Sequence, residues 1–146
     1  MKTKYILISL LFFFGNIAFA QNDIAANVPA SQDVQVVQKY SDEGVLLFTA
    51  HVVNNKLHGE YTDYYEDGSV REKREYKNGL LYGKSVRYFP DGDVMAEAEY
   101  ENNVKIGTWV FVDRFANQKI SVVYEDGQKK GVSYYKNGLC VDTVMY

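Results

Sequence analysis

Cysteine, histidine and proline are scarce in this chain, whose 146 residues include one cysteine, two histidines and two prolines. A single cysteine excludes an intramolecular disulfide, so packing has to stabilise the fold. Cys140 stands between Leu139 and Val141, and we expect it to be buried as a small apolar side chain. An intermolecular disulfide or a reactive thiol is the alternative role for this residue.

Recognisable catalytic and metal-binding motifs are also missing. The sequence contains no nucleophile elbow, no phosphate-binding loop and no HExxH motif. His51, His58 and Glu60 are the candidate metal ligands, but their spacing matches no established zinc pattern. We interpret the two histidines as solvated residues at strand ends, and we predict a protein without enzymatic activity, cofactor or metal.

Positive charge is in the minority, since 16 lysines and arginines stand against 19 aspartates and glutamates, for a net charge of −3. Binding to nucleic acid depends largely on lysine and arginine contacts with phosphates, and adsorption to an anionic membrane requires a basic surface. The composition therefore disfavours a nucleic-acid partner and a membrane-surface partner.

The N-terminal segment has the features of a cleavable signal peptide. Lys2 and Lys4 precede an apolar run over residues 5–14, and Ala-Phe-Ala follows at residues 18–20. The run is too short for a bilayer, which needs about 20 apolar residues, although an uncleaved anchor is the alternative. We predict removal of residues 1–20 and export to the periplasm or the cell exterior, with no stable membrane insertion afterwards.

A repeat with a period of 24 residues organises the rest of the sequence. Its spacer glycines are Gly59, Gly83, Gly107 and Gly131. They delimit three complete units, which are residues 59–82, 83–106 and 107–130. An imperfect copy at 35–58 precedes these units, and a truncated copy at 131–146 follows them. Residues 21–34 are rich in small and polar residues, so we predict a flexible tether before a single repeat domain at 35–146.

Two turn signals recur along the repeat, and both use residues that tolerate positive φ. The first is an Asp-Gly turn or its counterpart, with Gly44, Gly68 and Gly92. The third complete unit departs from the first signal, because it has Phe115-Ala116-Asn117 in place of Asp-Gly, and we expect a less regular turn there with Asn117 at positive φ. The second is an Asn-Gly turn or its counterpart, with Gly79, Asn103 and Gly127. Each unit is therefore two strands and two turns. The predicted fold is all-β, an elongated antiparallel sheet of tandem β-hairpins in which neighbouring units stabilise one another.

Alternation along the strands assigns side chains to the two faces of this sheet. We expect one face to repeat tyrosines and small apolar residues, including Ala98, Tyr100 and Tyr124, as a structural seam. The opposite face is expected to carry aromatic residues that differ between units and that are the candidate partner-binding residues: Tyr61, Tyr65, Phe89, Trp109 and Phe111. Mutual packing across strands is the alternative role for these rings.

The units resemble a known family. Each opens with glycine and continues with an aromatic residue two positions on (Tyr61, Trp109), then Tyr-Tyr, Asp-Gly, Tyr and Asn-Gly. This pattern, over about residues 40–138, is similar to the MORN repeat, and most similar to the variant found in bacterial antitoxin-like proteins. The resemblance implies a β-hairpin array that binds or scaffolds without catalytic residues, and the antitoxin-like label implies neutralisation of a protein toxin.

The sequence thus predicts an exported, non-catalytic repeat protein that binds another protein, with an antitoxin or immunity-type role as the narrower hypothesis. A wall-glycan-binding module is the alternative, because rows of aromatic rings also stack on sugars. Such modules usually repeat a tryptophan in every unit, whereas this chain contains one tryptophan.

Overall fold

A computed structural model describes residues 5–8 and 33–146, and these residues form one antiparallel sheet. Its eleven strands pair strictly in sequence order, and β2–β11 form consecutive hairpins. The described residues contain no helix. The strands are β1 (Tyr5–Ile8), β2 (Gln35–Tyr40), β3 (Leu46–Val53), β4 (Lys56–Tyr64), β5 (Val70–Lys77), β6 (Leu80–Tyr88), β7 (Val94–Glu101), β8 (Val104–Asp113), β9 (Gln118–Glu125), β10 (Gln128–Lys136) and β11 (Leu139–Met145).

The predicted all-β array of hairpins is confirmed. Of the predicted signal peptide, only Tyr5–Ile8 is described, running antiparallel to β2; the rest of it lies outside the described residues. The predicted tether also lies outside them, apart from residues 33–34.

The Asp-Gly turns close the hairpins at one end of the strands, which we call the turn edge of the sheet. Gly68 and Gly92 have φ values of +85° and +92°, which glycine adopts without the steric cost of a Cβ atom. The Asp67 carboxylate accepts a hydrogen bond from the Ser69 amide at 2.8 Å, and Asp91 accepts one from the Asp93 amide at 3.3 Å. In the same turn the glycine therefore adopts the positive φ, and the aspartate accepts a backbone hydrogen bond.

The Asn-Gly turns form a backbone ladder along the other edge. The second turn residue of each unit has positive φ and donates its amide to a carbonyl of the preceding turn region. The three bonds are Gly79 to Leu57 at 2.7 Å, Asn103 to Leu81 at 3.0 Å and Gly127 to Lys105 at 3.0 Å. These turns therefore join successive units as well as reversing the chain.

The spacer glycines lie at β-bulges rather than at turns. Gly59, Gly83 and Gly107 have φ values of +93°, +76° and +66° inside β4, β6 and β8. At each of these three glycines the pairing with the preceding strand shifts, as expected where a bulge inserts extra residues. Gly131 is different, because its φ is not positive. In the last unit the shift is smaller, so that Val132 pairs with Val122.

The pairing of β4–β9 corrects the predicted division of the rings between two faces. Directly paired residues point to the same side of a sheet, and Tyr61 pairs with Arg74 while Trp109 pairs with Val122. Trp109 also packs against Tyr100 and Tyr124. Variable and recurring rings therefore share one surface, which we call the aromatic face. Its rings are Phe48, Tyr61, Tyr76, Tyr100, Trp109, Phe111 and Tyr124.

The opposite face is mostly polar. A row of directly paired residues crosses it from β4 to β9: Thr62, Lys73, Val86, Glu97, Val110 and Ser121. Among the described residues no second layer of structure covers either face. The sheet consequently buries its apolar groups within the aromatic face itself.

Cys140 is exposed, so the expectation of burial was wrong. It lies in β11, the last strand of the sheet, where every residue is exposed. Leu139 and Val141 on either side of it are 72% and 61% exposed. An apolar run in the sequence therefore does not indicate burial here, because an edge strand of a single sheet has one neighbouring strand and no covering layer.

Candidate functional site

The third unit builds an apolar cluster around Trp109, which is only 8% exposed. The indole ring lies 5.0 Å from the rings of both Tyr100 and Tyr124, measured between centroids. Its Nε1–H donates a hydrogen bond to the Glu99 carbonyl at 3.2 Å, and Val122 and Val132 complete the buried cluster. Trp109 therefore has the environment of a core residue rather than that of an exposed anchor.

The first unit places Tyr61 at the position equivalent to Trp109. Its ring stacks on Phe48 at 5.2 Å and meets the edge of Tyr76 at 6.0 Å. Its hydroxyl donates a hydrogen bond to Asp63 Oδ1 at 3.1 Å. Burial, followed by the nearby Asp63 carboxylate, raises the pKa of Tyr61 to about 12. Tyr61 is thus fixed by both packing and a charged neighbour.

A network of ion pairs occupies the aromatic face beside Tyr61. Asp63 is 6% exposed and pairs with Arg74 at 2.5 Å. Glu72 pairs with Arg87 at 3.2 Å and with Arg74 at 3.6 Å. The Arg74 guanidinium lies 4.8 Å from the centre of the Tyr61 ring. The Glu72 side chain is only 14% exposed.

Arg74 sits at the centre of this network. Burial opposes its charge, but the neighbouring Glu72 carboxylate, with Tyr76 and Asp63, raises the pKa of the guanidinium above its usual value. Its Nε atom is buried and has no hydrogen-bond partner among the described residues. Removal of the Asp63 or Glu72 carboxylate would therefore leave the Arg74 charge less compensated in a site that has little access to solvent.

The second unit leaves a depression between these two clusters. Ser85 stands where the flanking units carry Tyr61 and Trp109, and small residues in β7 line the same space. The depression has a volume of about 110 Å³. We call it the notch, and its lining residues are Glu72, Ser85, Arg87, Ala96, Glu97, Ala98, Tyr100, Trp109 and Phe111.

Phe111 forms the open rim of the notch and is 42% exposed. Tyr65 and Phe89 lie instead at the Asp-Gly turn edge, just beyond their strands. The Tyr65 hydroxyl donates to the Tyr88 carbonyl at 2.7 Å, and Phe89 is 9% exposed beneath the Arg114 guanidinium at 4.2 Å. The five predicted binding residues thus divide into three on the aromatic face and two at the turn edge.

Three notable residues of this face were not among the predicted set: Asp63, Ser85 and Arg87. Each was detectable in principle, because it departs from the residue type at the equivalent position of a neighbouring unit. Ser85 replaces a ring, whereas Asp63 and Arg87 occupy the position of Phe111. Residues that differ from their equivalents in neighbouring units therefore identify this part of the aromatic face better than aromatic residue type does.

The candidate metal ligands do not form a cluster in the described part of the chain. The His58 ring lies 3.3 Å from the Asn78 side chain at an exposed turn, and the His51 side chain lies beside Gly59. No group of three histidine, cysteine, aspartate or glutamate residues is arranged to hold a metal ion among residues 5–8 and 33–146. Within the same ranges no helix has the length and apolar character needed to cross a membrane.

An open sheet of consecutive hairpins with a 24-residue period defines a β-hairpin repeat protein. The family model described as the MORN repeat variant matches residues 57–78 and 81–102, which supports the assignment of these two segments to a MORN-repeat family. Repeats of this family commonly bind proteins or membranes and are typically non-catalytic.

No curated protein matches the chain. Among solved structures, the crystal structure of a GtfA/B complex bound to UDP and GlcNAc aligns with 86% of this chain and 29% of that chain. The sequence identity is 12% and the TM-score is 0.42. The chain therefore spans less than a third of the length of that protein.

Proposed function

We propose that the protein is an exported, non-catalytic repeat scaffold that binds another protein through the aromatic face. The observation that carries this proposal is the uncovered state of that face in the described part of the chain, where Phe111 is 42% exposed beside the buried Trp109. Aromatic residues and arginine are enriched at protein interfaces, and they dominate binding energy when they are desolvated by a partner.

The shape and charge of the sheet also favour a protein partner. Consecutive hairpins give a long surface on which several moderate contacts add up. The net charge is −3, and removal of Lys2 and Lys4 with the signal peptide makes it −5. Such a charge opposes binding to nucleic acid and to anionic lipid surfaces.

An antitoxin or immunity-type role, with a protein toxin as the partner, is the narrower form of this proposal. A wall-glycan module is its alternative, and the packing supports it less. Sugars need free ring faces, whereas the Trp109 ring lies 5.0 Å from the rings of both Tyr100 and Tyr124 and Lys105 lies 4.8 Å from the centre of the Trp109 ring.

Crosslinking in the native cell, with the full-length protein as bait, tests the proposed face. Phe111→Ser removes the exposed ring at the rim of the notch. Phe115→Ser is the matched control, because Phe115 is 88% exposed and lies in the turn after β8. We expect a crosslinked protein to be lost with Phe111→Ser and kept with Phe115→Ser. Equal recovery with both variants contradicts the proposal, and retention on insoluble cell wall that depends on Phe111 favours the glycan alternative.

Export is tested separately by the mass of the intact protein isolated from its native cell. We expect a product that begins at Gln21 in the periplasmic or extracellular fraction. A product that retains Met1 contradicts export through a cleaved signal peptide.

A further inference from the structure

The notch is a position where the repeat omits a ring. Tyr61 and Trp109 fill the equivalent sites of the flanking units, and Ser85 with Ala96 and Ala98 leaves the site of the second unit open. Pockets for drug-sized ligands and cofactors enclose about 300–1,000 Å³, whereas the notch encloses about 110 Å³. Its size therefore suits one side chain of a larger partner.

The charge around the notch favours an anion. Three guanidinium groups stand against two carboxylates in the adjoining network, which comprises Asp63, Arg71, Glu72, Arg74 and Arg87. The surplus within this network is positive, although the whole chain is acidic. Glu97 also lines the notch, but it belongs to the row of paired residues on the opposite face.

Arg87 is the guanidinium that is best placed to meet a ligand. It lines the notch and its side chain is 53% exposed. Within the described residues its ion pair is with Glu72 through one terminal nitrogen, and a guanidinium has five N–H donors. Glu72 also accepts from Ser85 at 3.3 Å and pairs with Arg74. Donors of Arg87 are therefore left for an incoming acceptor, while Glu72 is already well satisfied.

The opposite wall of the notch is apolar, since Trp109, Phe111 and Tyr100 line it. An acidic side chain flanked by apolar residues matches both walls, because its carboxylate meets Arg87 while its neighbours meet the rings. A chain-terminal carboxylate fits less well, because its capture uses free backbone N–H groups, and β6 and β7 are paired with strands on both sides.

We propose that the notch binds an aspartate or glutamate side chain within an extended, apolar segment of the protein partner. This inference rests on the proposed function and gives it a recognition chemistry. Arg87 supplies the charge-assisted hydrogen bond, Ser85 supplies the space, and the rings of Trp109 and Phe111 exclude water from the contact.

Trp109 reports on occupancy directly, since it is the single tryptophan and it lines the notch. The probe is an acetylated and amidated pentapeptide with glutamate between two leucines, titrated into the full-length protein at low salt. Its counterpart carries glutamine in place of glutamate. We expect the glutamate peptide to change Trp109 fluorescence with a Kd about tenfold lower than that of the glutamine peptide. Equal affinities, or no response to either peptide, overturn the proposal.

Two variants of β6 isolate the charge. Arg87→Gln is expected to remove the preference for glutamate. Lys84→Gln is the control, because it changes the net charge equally but lies on the polar face next to Ser85, and it is expected to keep the preference. Equal effects of the two substitutions overturn the proposal, since they would mean that overall charge alone attracts the peptide.

Ser85→Tyr isolates the space, because it restores the ring that the flanking units carry and is expected to fold. It should abolish the Trp109 response to both peptides, and an unchanged response overturns the proposal. If Trp109 fluorescence changes with protein concentration in the absence of peptide, the notch binds a second copy of the chain, and this result also overturns the proposal. Loss of a crosslinked partner with Phe111→Ser, combined with no preference for glutamate, would overturn this inference while leaving the proposed function standing.

Discussion

The first and third complete units fill the same positions of the aromatic face with opposite chemistry. Residues 59–82 bury a network of charges there, and residues 107–130 bury an apolar cluster. Positions 48 residues apart are equivalent, and the contrasting pairs are Asp63 with Phe111, Glu72 with Ile120 and Arg74 with Val122. The repeat therefore determines where a side chain lies, while its identity is free to vary between units.

The two fillings are expected to respond differently to substitution. Apolar packing is non-directional and scales with the area removed from water. A buried ion pair contributes little net stability, but removing one partner leaves an uncompensated charge. Single substitutions should therefore damage both units, whereas replacing the whole network should not.

The largest effect is expected at Trp109. Trp109→Ala removes the centre of the apolar cluster and should lower the free energy of unfolding by about 3–5 kcal/mol. Chemical denaturation measures the change. Phe115→Ala is the control, because that ring is 88% exposed, and it should stay within about 0.5 kcal/mol of the wild type. Similar losses from both variants would contradict the assignment of Trp109 to the core.

The network should be nearly as sensitive as the cluster. Asp63→Ala leaves Arg74 without its 2.5 Å partner. Breaking a buried pair costs about 3–5 kcal/mol, and we expect about 2–3 kcal/mol because the Arg74 side chain is 26% exposed. Denaturation of Glu101→Ala, which removes an exposed carboxylate, provides the baseline. If Asp63→Ala lowers the free energy of unfolding no more than Glu101→Ala does, the prediction that Arg74 is left with an uncompensated charge is contradicted.

Smaller effects are expected at the spacer glycines, and they separate the last unit from the others. Gly83→Ala places a Cβ at φ +76° and 2.7 Å from Glu75 Oε2, so it should cost about 1–2 kcal/mol. Gly131→Ala meets mainly the flexible, exposed Met145 side chain, and should cost less than about 1 kcal/mol. Thermal melting compares the two, and equal shifts would refute the difference between these bulges.

The last effect is confined to high pH. The pKa of Tyr61 is raised from 10.0 to about 12 by burial and by Asp63, so the folded state holds this proton more tightly than the unfolded state. The resulting stability is fully present below pH 10 and is lost as the pH rises towards 12. Between these values the free energy of unfolding should fall more steeply for the wild type than for Tyr61→Phe. Parallel slopes would mean that Tyr61 has an ordinary pKa.

The hairpins were predictable from the sequence because each turn carries a residue that tolerates positive φ. The pairing register between the two strands of a unit was not predictable. Asp63 pairs with Glu72 only because β5 has an extra residue, Arg71, at a bulge, and Met95 has the same role in β7. One residue of slip moves a whole strand to the other face, and nothing in the local residue pattern indicated that bulge.

The candidate site was predictable only in part, for a related reason. Aromatic residues were identifiable by type, but the burial of Trp109 depends on Tyr100 and Tyr124 lying on the same side of the sheet. The notch depends on what Ser85 lacks, and an absent ring is visible only when units are compared within the correct register.

Equivalence of the units is tested most directly by giving the first unit the filling of the third. The triple variant Asp63→Phe, Glu72→Ile, Arg74→Val replaces the three most buried members of the network with the residues found 48 positions later, and the remaining Arg71 and Arg87 side chains are 50% and 53% exposed. Its free energy of unfolding should equal that of the wild type or exceed it by up to about 4 kcal/mol, as for other buried ion pairs replaced by apolar residues. A loss of more than about 1 kcal/mol, outside the usual range for neutral surface changes, would contradict the claim that the repeat alone sets these positions.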